Sequence, residues 1–358
     1  MKDTAQAIRD GEGLDEGKLY DCLVANIPGL SGPLTLTQFP SGFSNLTYLV
    51  RVGETEMVLR RPPFGARIKS AHDMGREYRI LSFLRPHFPY CPEPLYYTED
   101  LEVMGCPFYV MERMEGIILR KDLPAGLAYS PAQAKGLCER VLDVQVALHG
   151  IDVEEAGLDF LGKPEGYVRR QVEGWSRRYR NARTDDAPDF EAVMGWLADH
   201  MPEDTPQPTI VHNDYKLDNI VLSEADPMAI IGVLDWEMAT YGDPLMDLGN
   251  SLAYWVEKDD PEEMQMIRLM PTNMDGALSR SEMVARYGRL TGRDVSGFDY
   301  YHCFGLFRLA VIAQQIYQRY HKGLTRDKRF AMLICAVQIL ERAALSYVLN
   351  RKSMDHGR

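Results

Sequence analysis

Residues 210–235 read IVHNDYKLDNIVLSEADPMAIIGVLD. The polar segment HNDYKLDN lies between two apolar strand ends, and the next apolar run ends at Asp235. One loop therefore offers a carboxylate at Asp214, an ammonium group at Lys216 and an amide oxygen at Asn219. Phosphoryl transfer needs a carboxylate near the attacking hydroxyl, oxygen ligands for a metal and a cation near the transferring group. Since magnesium prefers hard oxygen ligands and few protein groups, Asn219 and Asp235 are the candidate ligand pair.

The first third of the chain has the pattern of an antiparallel sheet. From Leu34 onward apolar residues alternate with polar ones, and turn residues at 40–42 and 53–54 interrupt the alternation. Such period-two patterns, broken by Pro, Ser and Gly, predict a strand meander with two turns. A helix is then expected at about 72–85, followed by strands at 94–99 and 107–113.

The remainder of the chain has the pattern of a helical domain. A capping box at Ser130, with proline at the first helical position, predicts a helix that runs to His149. One strand pair, at 220–222 and 230–234, interrupts the helices. Further helices of this part are expected at 166–182, 188–200, 244–257, 280–291, 298–321 and 326–349, and a short helix at 14–27 is expected before the strands of the first third. We therefore predict an α+β fold with an N-terminal antiparallel sheet lobe at 1–113 and a mainly helical C-terminal lobe at 114–358.

Composition and charge limit the partners that we expect. The 358 residues are 45% hydrophobic and carry a net charge of −12, and an acidic surface repels phosphate backbones, so nucleic acid is not expected. The six cysteines form no CxxC pair, which suits a reducing cytoplasm better than a disulfide framework. The apolar segment Phe304 to Ala313 is too short to span a bilayer, so no membrane partner is expected. The sequence leaves the oligomeric state open.

The spacing H-x-D-x-K-x-x-N, followed by an aspartate after a strand, resembles the catalytic loop and magnesium aspartate of protein kinases. However, Asp235 is followed by Trp-Glu, and GDPLMDL stands at 242–248. Together with VHND at 211–214, this ending resembles the aminoglycoside phosphotransferase-like family, and within it the subgroup associated with acyl-CoA dehydrogenases. The resemblance implies a protein-kinase-like two-lobed fold. A protein kinase itself is disfavoured, because Asp247 follows Asp235 too closely for an activation loop.

The resemblance also assigns a role to each polar residue of the loop. The alternative for any one of them is a solvated turn or a helix cap, since Asp and Asn are common turn formers. All of them in this order favour function. The implied roles are catalytic base or hydroxyl-orienting group for Asp214, phosphate neighbour for Lys216, magnesium ligands for Asn219 and Asp235, and internal braces for His212 and Asp247.

A phosphate-covering turn is expected between the first two strands of the sheet lobe. Ser41, Gly42, Ser44 and Asn45 are the candidates, since backbone amides and small hydroxyls can donate to phosphate. The segment has one glycine and no GxGxxG pattern, so an ordinary hairpin turn is the alternative.

Two further parts of a nucleotide site follow from the resemblance. The family's usual phosphate-binding lysine is replaced by arginine here, with Arg60 as the candidate and Arg61 as the alternative. Glu77 on the next helix is its expected acidic partner. The segment after the last strand is the expected hinge, where the backbone C=O of Glu112 and N–H of Met114 bind the adenine edge.

These features predict a small-molecule kinase that transfers the γ-phosphoryl group of ATP, with GTP as the alternative, and Mg²⁺ to a hydroxyl of a metabolite. The helix at 166–182 carries five arginines, which favours an anionic acceptor over a polycationic aminoglycoside; a solvated amphipathic face is the alternative. The subgroup resemblance implies a hydroxyacyl-CoA or hydroxy acid as acceptor. The rival function is a non-catalytic nucleotide-binding kinase-like module, which the arginine at the lysine position favours.

Overall fold

The structure, a computed structural model, describes residues 5–39, 45–64, 73–325 and 327–355. The chain divides into two compact units, and neither is one continuous segment. The first comprises Met1–Ile118, Ala156–Leu158 and Asn219–Met238, and the second comprises Leu119–Glu155, Asp159–Asp218 and Ala239–Arg358.

The first unit is built on an antiparallel sheet. Its strands are β1 (Leu34–Gln38), β2 (Leu46–Val52), β3 (Thr55–Arg61), β4 (Pro94–Thr98) and β5 (Phe108–Glu112). They lie in the order β1-β2-β3-β5-β4. Successive side chains of a strand point to opposite faces, and in β2 the residues Leu46, Tyr48, Val50 and Val52 are buried while those between them are not. This apolar face forms the core of the unit.

Helices cover this sheet, and each begins after an aspartate that caps it. The side chains of Asp15, Asp73 and Asp100 accept hydrogen bonds from backbone N–H groups of the first turn. Leu19 and Leu23 of the first helix pack into the same core as the buried face of β2. The helices are α1 (Glu16–Asn26), α2 (Met74–Leu84) and α3 (Leu101–Met104).

A second, small sheet accounts for the place of Asn219–Met238 in the first unit. The strand β8 (Ile220–Leu222) pairs with β6 (Ile117–Ile118) on one side and with β9 (Ile230–Val233) on the other. The N–H of Val233 also donates to the backbone oxygen of Tyr90 over 2.7 Å. The sequence-based boundary at 113/114 assigned the β8–β9 hairpin to the helical lobe. The sequence of a hairpin does not show which third strand, here β6, pairs with it.

The second unit is mainly helical. The helix α4 opens with the expected capping box, in which Ser130 and Gln133 exchange side-chain and backbone hydrogen bonds. A short antiparallel pair, β7 (Thr209–Val211) with β10 (Thr240–Gly242), lies in the same unit. The helices are α4 (Pro131–His149), α5 (Tyr167–Ala182), α6 (Glu191–Asp199), α7 (Pro244–Ala253), α8 (Glu262–Met266), α9 (Arg280–Thr291), α10 (Phe298–His321) and α11 (Leu333–Asp355).

The long helix α10 forms the centre of this unit, with contacts to α5, α6, α7 and α11. Nearly every residue in its first three turns is buried, as expected of a helix surrounded by others. It packs tightly against α7 at Gly305. A Cβ atom on Gly305 would lie 2.2 Å from the backbone oxygen of Gly249. The contact therefore requires glycine on α10.

The predicted fold class is confirmed: the chain is α+β, with an antiparallel sheet in its N-terminal part and helices in most of the rest. The main strands and most long helices lie within a few residues of their predicted positions, whereas α11 was predicted at 326–349 and spans Leu333–Asp355. The sequence analysis missed α3, which lies between the predicted strands at 94–99 and 107–113, and also α8, β6 and the pairing of β7 with β10. Elements of two to five residues are too short to show a period, so their patterns gave no signal.

One apolar segment was overlooked. By length and composition, Lys328–Leu349 is long and apolar enough to cross a membrane. An 18-residue stretch within it has a mean hydropathy of 1.6, and 28% of that stretch is buried. The sequence analysis considered only the segment Phe304 to Ala313 as a possible membrane span and did not consider this longer one. A core helix of a soluble protein passes the same test, so this property alone assigns no membrane span.

We expect Gly305→Ala to lower the free energy of unfolding by about 1–3 kcal/mol, because the added methyl group overlaps the α7 backbone. The measurement is urea unfolding followed by circular dichroism. Gly195→Ala in α6 is the matched control, because a Cβ atom there meets nothing within 4 Å. That control should leave stability unchanged or raise it by up to about 1 kcal/mol. Equal effects of the two changes would contradict close packing at Gly305.

Candidate active site

The loop that follows β7 is held in an unusual backbone conformation. Asn213 has a φ of 64°, in the left-handed region that asparagine tolerates better than most residues. The N–H of Asp214 donates to Nδ1 of His212 over 3.2 Å, and the His212 side chain is fully buried. His212 therefore fixes the backbone next to Asp214, as a brace would.

The buried carboxylate of Asp247 is the main anchor of this loop. Its Oδ1 accepts the N–H of Asn213 over 2.5 Å, and its Oδ2 accepts the N–H of His212 over 3.3 Å. The Nε2 of His149 lies 3.0 Å from Oδ2, and Gln145 donates to it over 3.2 Å. Burial alone would raise the pKa of Asp247, but the hydrogen bond and charge of His149 outweigh burial and lower that pKa.

Further polar side chains support this anchor, and the sequence analysis missed them. The hydroxyl of Tyr287 lies 2.8 Å from Nδ1 of His149. The side-chain oxygen of Asn213 accepts hydrogen bonds from Tyr167 and Asn250, each over 3.2 Å. One signal was present in the sequence. Gln145 and His149 stand four residues apart, so they lie on the same face of the predicted helix, among its buried residues.

Asp214 and Lys216 lie together, as their predicted roles require. The Lys216 ammonium is 2.8 Å from Oδ2 of Asp214, and the hydroxyl of Tyr254 donates to Oδ1 over 3.4 Å. The same ammonium lies 4.9 Å from the centre of the Tyr254 ring. Burial by itself would lower the pKa of Lys216, but Tyr254 and Asp214 raise it above its usual value. Lys216 is therefore a cation at neutral pH.

In the first unit, carboxylates surround the guanidinium of Arg60. Its Nη1 lies 2.5 Å from the carboxylate of Glu77 and 3.3 Å from that of Asp235, and its Nη2 lies 3.4 Å from that of Glu237. The Nε atom is buried and has no hydrogen-bond partner among the described residues. Burial alone would lower the pKa of Arg60, but the negative charges around it, Glu77 foremost, raise that pKa.

The structure distinguishes the two candidate arginines by their contacts. Arg60 contacts Glu77, whereas Arg61 lies 3.7 Å over the ring of Phe64 and donates to the backbone oxygen of Pro62. Neighbouring residues of a strand point to opposite faces of the sheet, so only one of the two can face α2. The contact expected of the phosphate-binding cation is therefore made by Arg60.

Glu237 joins this cluster and was not recognised in the sequence. Its carboxylate accepts a hydrogen bond from the Asn45 amide over 2.9 Å, and its backbone oxygen accepts one from Arg76 over 3.1 Å. Asn45 is the one member of the predicted phosphate-covering turn that the structure describes. Ser41, Gly42 and Ser44 lie outside the described residues.

The candidate magnesium ligands, Asn219 and Asp235, flank the β8–β9 hairpin. The N–H of Leu234 donates to the backbone oxygen of Asn219 over 2.8 Å, so the two candidate ligands lie at the same end of this hairpin. Asp235 has a left-handed φ of 69° and a side chain that is 36% exposed. Within the described ranges no group of three or more His, Cys, Asp or Glu side chains could hold a metal. One amide and one carboxylate nevertheless fit magnesium, which keeps waters and takes nucleotide phosphates as its other ligands.

The predicted hinge lies at the end of β5. Glu112 is the last residue of that strand, and its N–H donates to the backbone oxygen of Glu93 over 2.8 Å. The thioether of Met114 lies against Gly232, where a Cβ atom would come within 2.5 Å of the sulfur. The adenine contacts involve backbone groups, and they stay a prediction.

Comparison with known proteins identifies the family. The model of the phosphotransferase enzyme family, APH, matches residues 35–273. The chain belongs to this family. It is 34% identical to acyl-CoA dehydrogenase family member 10 of Mus musculus over 81% of its own length, and 31% identical to family member 11 of Rattus norvegicus over 99%. These matches confirm the predicted resemblance. The chain spans 27% of the mouse protein and 45% of the rat protein.

Solved structures of phosphotransferases share the fold. A protein from Ralstonia eutropha JMP134, provisionally described as an aminoglycoside phosphotransferase, has a TM-score of 0.80 and 29% identity; 94% of this chain and 99% of that chain are covered. A thermostable variant of aminoglycoside phosphotransferase APH(4)-Ia, in ternary complex with AMP-PNP and hygromycin B, has a TM-score of 0.53 and 18% identity, with 92% and 97% covered. The first likeness confirms the kinase-like fold, and the second shares the fold alone.

We expect Asp247→Asn to lower the free energy of unfolding at pH 7 by about 3–5 kcal/mol, because a buried set of donors loses its anion. The pKa of Asp247 is lowered by folding, so its stabilising contribution is present above the unfolded pKa of about 3.9 and is lost as pH falls through the lower folded pKa. The difference between the two proteins should therefore shrink on acidification below about pH 4.

Urea unfolding at several pH values measures this difference. The exposed aspartate Asp275, which pairs with Lys258, provides the control Asp275→Asn, and it should have little effect at any pH. A pH-independent loss of stability in Asp247→Asn would mean that packing, and not charge, accounts for the effect.

Proposed function

We propose that this phosphotransferase-family protein is a small-molecule kinase that transfers the γ-phosphoryl group of ATP to a hydroxyl of a metabolite. The observation that carries the proposal is the pairing of Asp214 with Lys216 at 2.8 Å on an anchored loop. An anion to orient a hydroxyl and a cation for the transferring phosphate are the parts that this chemistry needs. The APH(4)-Ia complex with AMP-PNP supports ATP as the donor, and GTP is the alternative.

In the proposed mechanism, each residue acts on a stated group. Asp214 orients the acceptor hydroxyl and takes its proton as the new oxygen–phosphorus bond forms and the bond to the β-phosphate oxygen breaks. Lys216 offsets charge on the transferring group, and Arg60 binds the α- and β-phosphates. Asn219 and Asp235 would hold magnesium, which when bound neutralises phosphate charge. The products are a phosphate ester and ADP.

We propose hydroxyacyl-CoA and hydroxy acids as the first acceptors to test. The similarity to acyl-CoA dehydrogenase family members supports this choice, and so do exposed arginines of α5. Arg170 donates to backbone oxygens and Arg180 pairs with Glu191, so these two have structural partners. Arg178 stacks on Trp175, with 4.7 Å between guanidinium carbon and ring centre, and is the better candidate for an acceptor anion.

The second candidate function is a non-catalytic nucleotide-binding module. It is favoured by the contact between Arg60 and Asp235, since a guanidinium on the candidate metal ligand competes with magnesium for that carboxylate. A measurement of nucleotide binding and a measurement of phosphoryl transfer together distinguish the two candidate functions.

We expect MgATP to raise the melting temperature of the protein in a magnesium-dependent way, and Asp235→Asn to remove that rise. Saturating ligand at about 100 times its Kd stabilises by about 2.7 kcal/mol. Asparagine tolerates the left-handed backbone at this position, so the variant should fold. Asp226→Asn, in the exposed turn of the same hairpin, is the control and should keep the rise. The proposal fails if neither ATP nor GTP stabilises the wild type.

We expect Asp214→Asn to lower the transfer rate by about 10²–10⁴-fold, because the group that takes the hydroxyl proton is removed. The measurement is ADP release with a panel of hydroxyacyl-CoA, hydroxy acid and amino sugar acceptors, together with MgATP affinity, which should be nearly unchanged. Turnover that survives this change would contradict the assignment of Asp214. MgATP binding without transfer to any acceptor would favour the non-catalytic module.

A further inference from the structure

Tyr254 is a buried aromatic residue beside the candidate base, and the sequence pattern assigned it no role. It directly follows α7 and keeps helical backbone angles, with φ of −84° and ψ of −9°. Its side chain is 8% exposed. Its position at the end of a buried helix fixes where the phenol ring can lie.

The three side chains of Asp214, Lys216 and Tyr254 form a closed triangle. The Tyr254 hydroxyl donates to Oδ1 of Asp214 over 3.4 Å, while the Lys216 ammonium lies 2.8 Å from Oδ2. The third side is the approach of that ammonium to the Tyr254 ring, 4.9 Å from its centre. Each oxygen of the carboxylate is therefore held from a different direction, which restricts rotation of Asp214 about its side-chain bonds.

Burial strengthens these contacts. The side chains of Asp214 and Lys216 are 14% and 18% exposed, so water competes little for their charges. A cation over an aromatic face is held more tightly when it is desolvated. Burial also raises the pKa of Tyr254, so its hydroxyl keeps its proton and donates to the carboxylate.

Tyr254 belongs to a set of residues along one face of α7 that contact the catalytic loop. Asp247 binds the N–H groups of His212 and Asn213, Asn250 donates to the Asn213 side chain, and Tyr254 donates to Asp214. Asp247 and Asn250 lie in α7, and Tyr254 continues its helical backbone by one residue, so these positions, i, i+3 and i+7, share one face. The helix therefore holds the loop backbone with one residue and the candidate base with another.

We propose that Tyr254 is a positioning residue for phosphoryl transfer: its hydroxyl orients the Asp214 carboxylate, and its ring holds the Lys216 ammonium beside that carboxylate. The inference rests on the proposed function for its effect on rate, but the contact between ring and ammonium exists without it. A lysine has a flexible four-carbon stem, and the ring face limits where its charged end can lie.

The two parts of the proposal are separated by two variants. Tyr254→Phe keeps the ring and removes the hydroxyl, whereas Tyr254→Leu removes both. Tyr300→Phe is the matched control, because Tyr300 is also a buried tyrosine of the second unit and donates to a backbone oxygen, that of Leu197, over 3.0 Å.

With the wild-type acceptor assay in place, we expect Tyr254→Phe to lower kcat by roughly tenfold, because a hydrogen bond to a charged group is lost. The KM for MgATP should stay within about twofold, since the nucleotide contacts are unchanged. A merely structural role predicts no fall, because the ring still fills its place. A kcat for Tyr254→Phe equal to that of Tyr300→Phe would overturn the role of the hydroxyl.

A double-mutant cycle tests whether Tyr254 acts through Asp214. In an Asp214→Asn background, adding Tyr254→Phe should cause no further fall in the residual rate, because the oriented carboxylate is already gone. Independent, multiplying losses would overturn the proposed coupling.

A measurement without substrate keeps this test separate from the proposed function. Competitive labelling of lysines with acetic anhydride at pH 8, read by mass spectrometry, reports the reactivity of Lys216 in the nucleotide-free full chain. We expect Tyr254→Leu to raise it several-fold, while Tyr254→Phe and Tyr300→Phe leave it unchanged. Equal labelling in wild type and Tyr254→Leu would overturn the contact of ring and ammonium. If the wild type transfers no phosphate, the proposed function fails, and this labelling still decides the contact.

Discussion

The carboxylate of Asp247 has no exposed side-chain surface. Its burial therefore requires several segments of the second unit to be ordered around it. A buried anion is stable only when donors surround it. Those donors come from α4, through Gln145 and His149, and from the backbone of the loop after β7. The left-handed backbone of Asn213 is held by its N–H bond to Asp247 and by the hydrogen bonds that its side-chain oxygen accepts from Tyr167 and Asn250. The backbone conformation next to Asp214 thus depends on the hydrogen bonds that the buried carboxylate of Asp247 makes.

The cluster around Arg60 shows a different balance of charge. One guanidinium faces Glu77, Asp235 and Glu237, so its described surroundings are net negative. A lysine ammonium is a compact point charge, whereas a guanidinium presents five donors in a fixed fork and can contact several carboxylates at once. The arginine is therefore more than a conservative replacement: it ties α2, β3 and the segment after β9 together through one side chain.

Much of the fold and part of the candidate site were predictable from the sequence. Long helices and alternating strands can be detected by their hydrophobic period. Asp214, Lys216 and Asp235 were proposed as site residues because of their unusual spacing, and their roles stay a prediction. Residues whose role depends on contacts between distant segments show neither a period nor an unusual spacing in the sequence. Tyr254 and Glu237 stand in ordinary helical or turn contexts, and only tertiary contacts bring them to the loop or to Arg60. The choice between Arg60 and Arg61 likewise depended on strand register, which a sequence fixes only when its partner strand is known.

The discontinuity of the first unit affects how this chain could be divided or recombined. A cut after residue 118 would leave the sheet-rich segment without β8 and β9, so the edge of β6 and the ring of Phe88 would lose their partners. A cut after residue 113 would remove β6 from that segment as well. Unpaired edges and exposed aromatic rings are starting points for aggregation. The two units are therefore not exchangeable modules in the manner of domains joined by a linker. Residues of either unit can be substituted individually. The first unit can be exchanged as a whole only if the β8–β9 hairpin, which lies much later in the sequence, is exchanged with it.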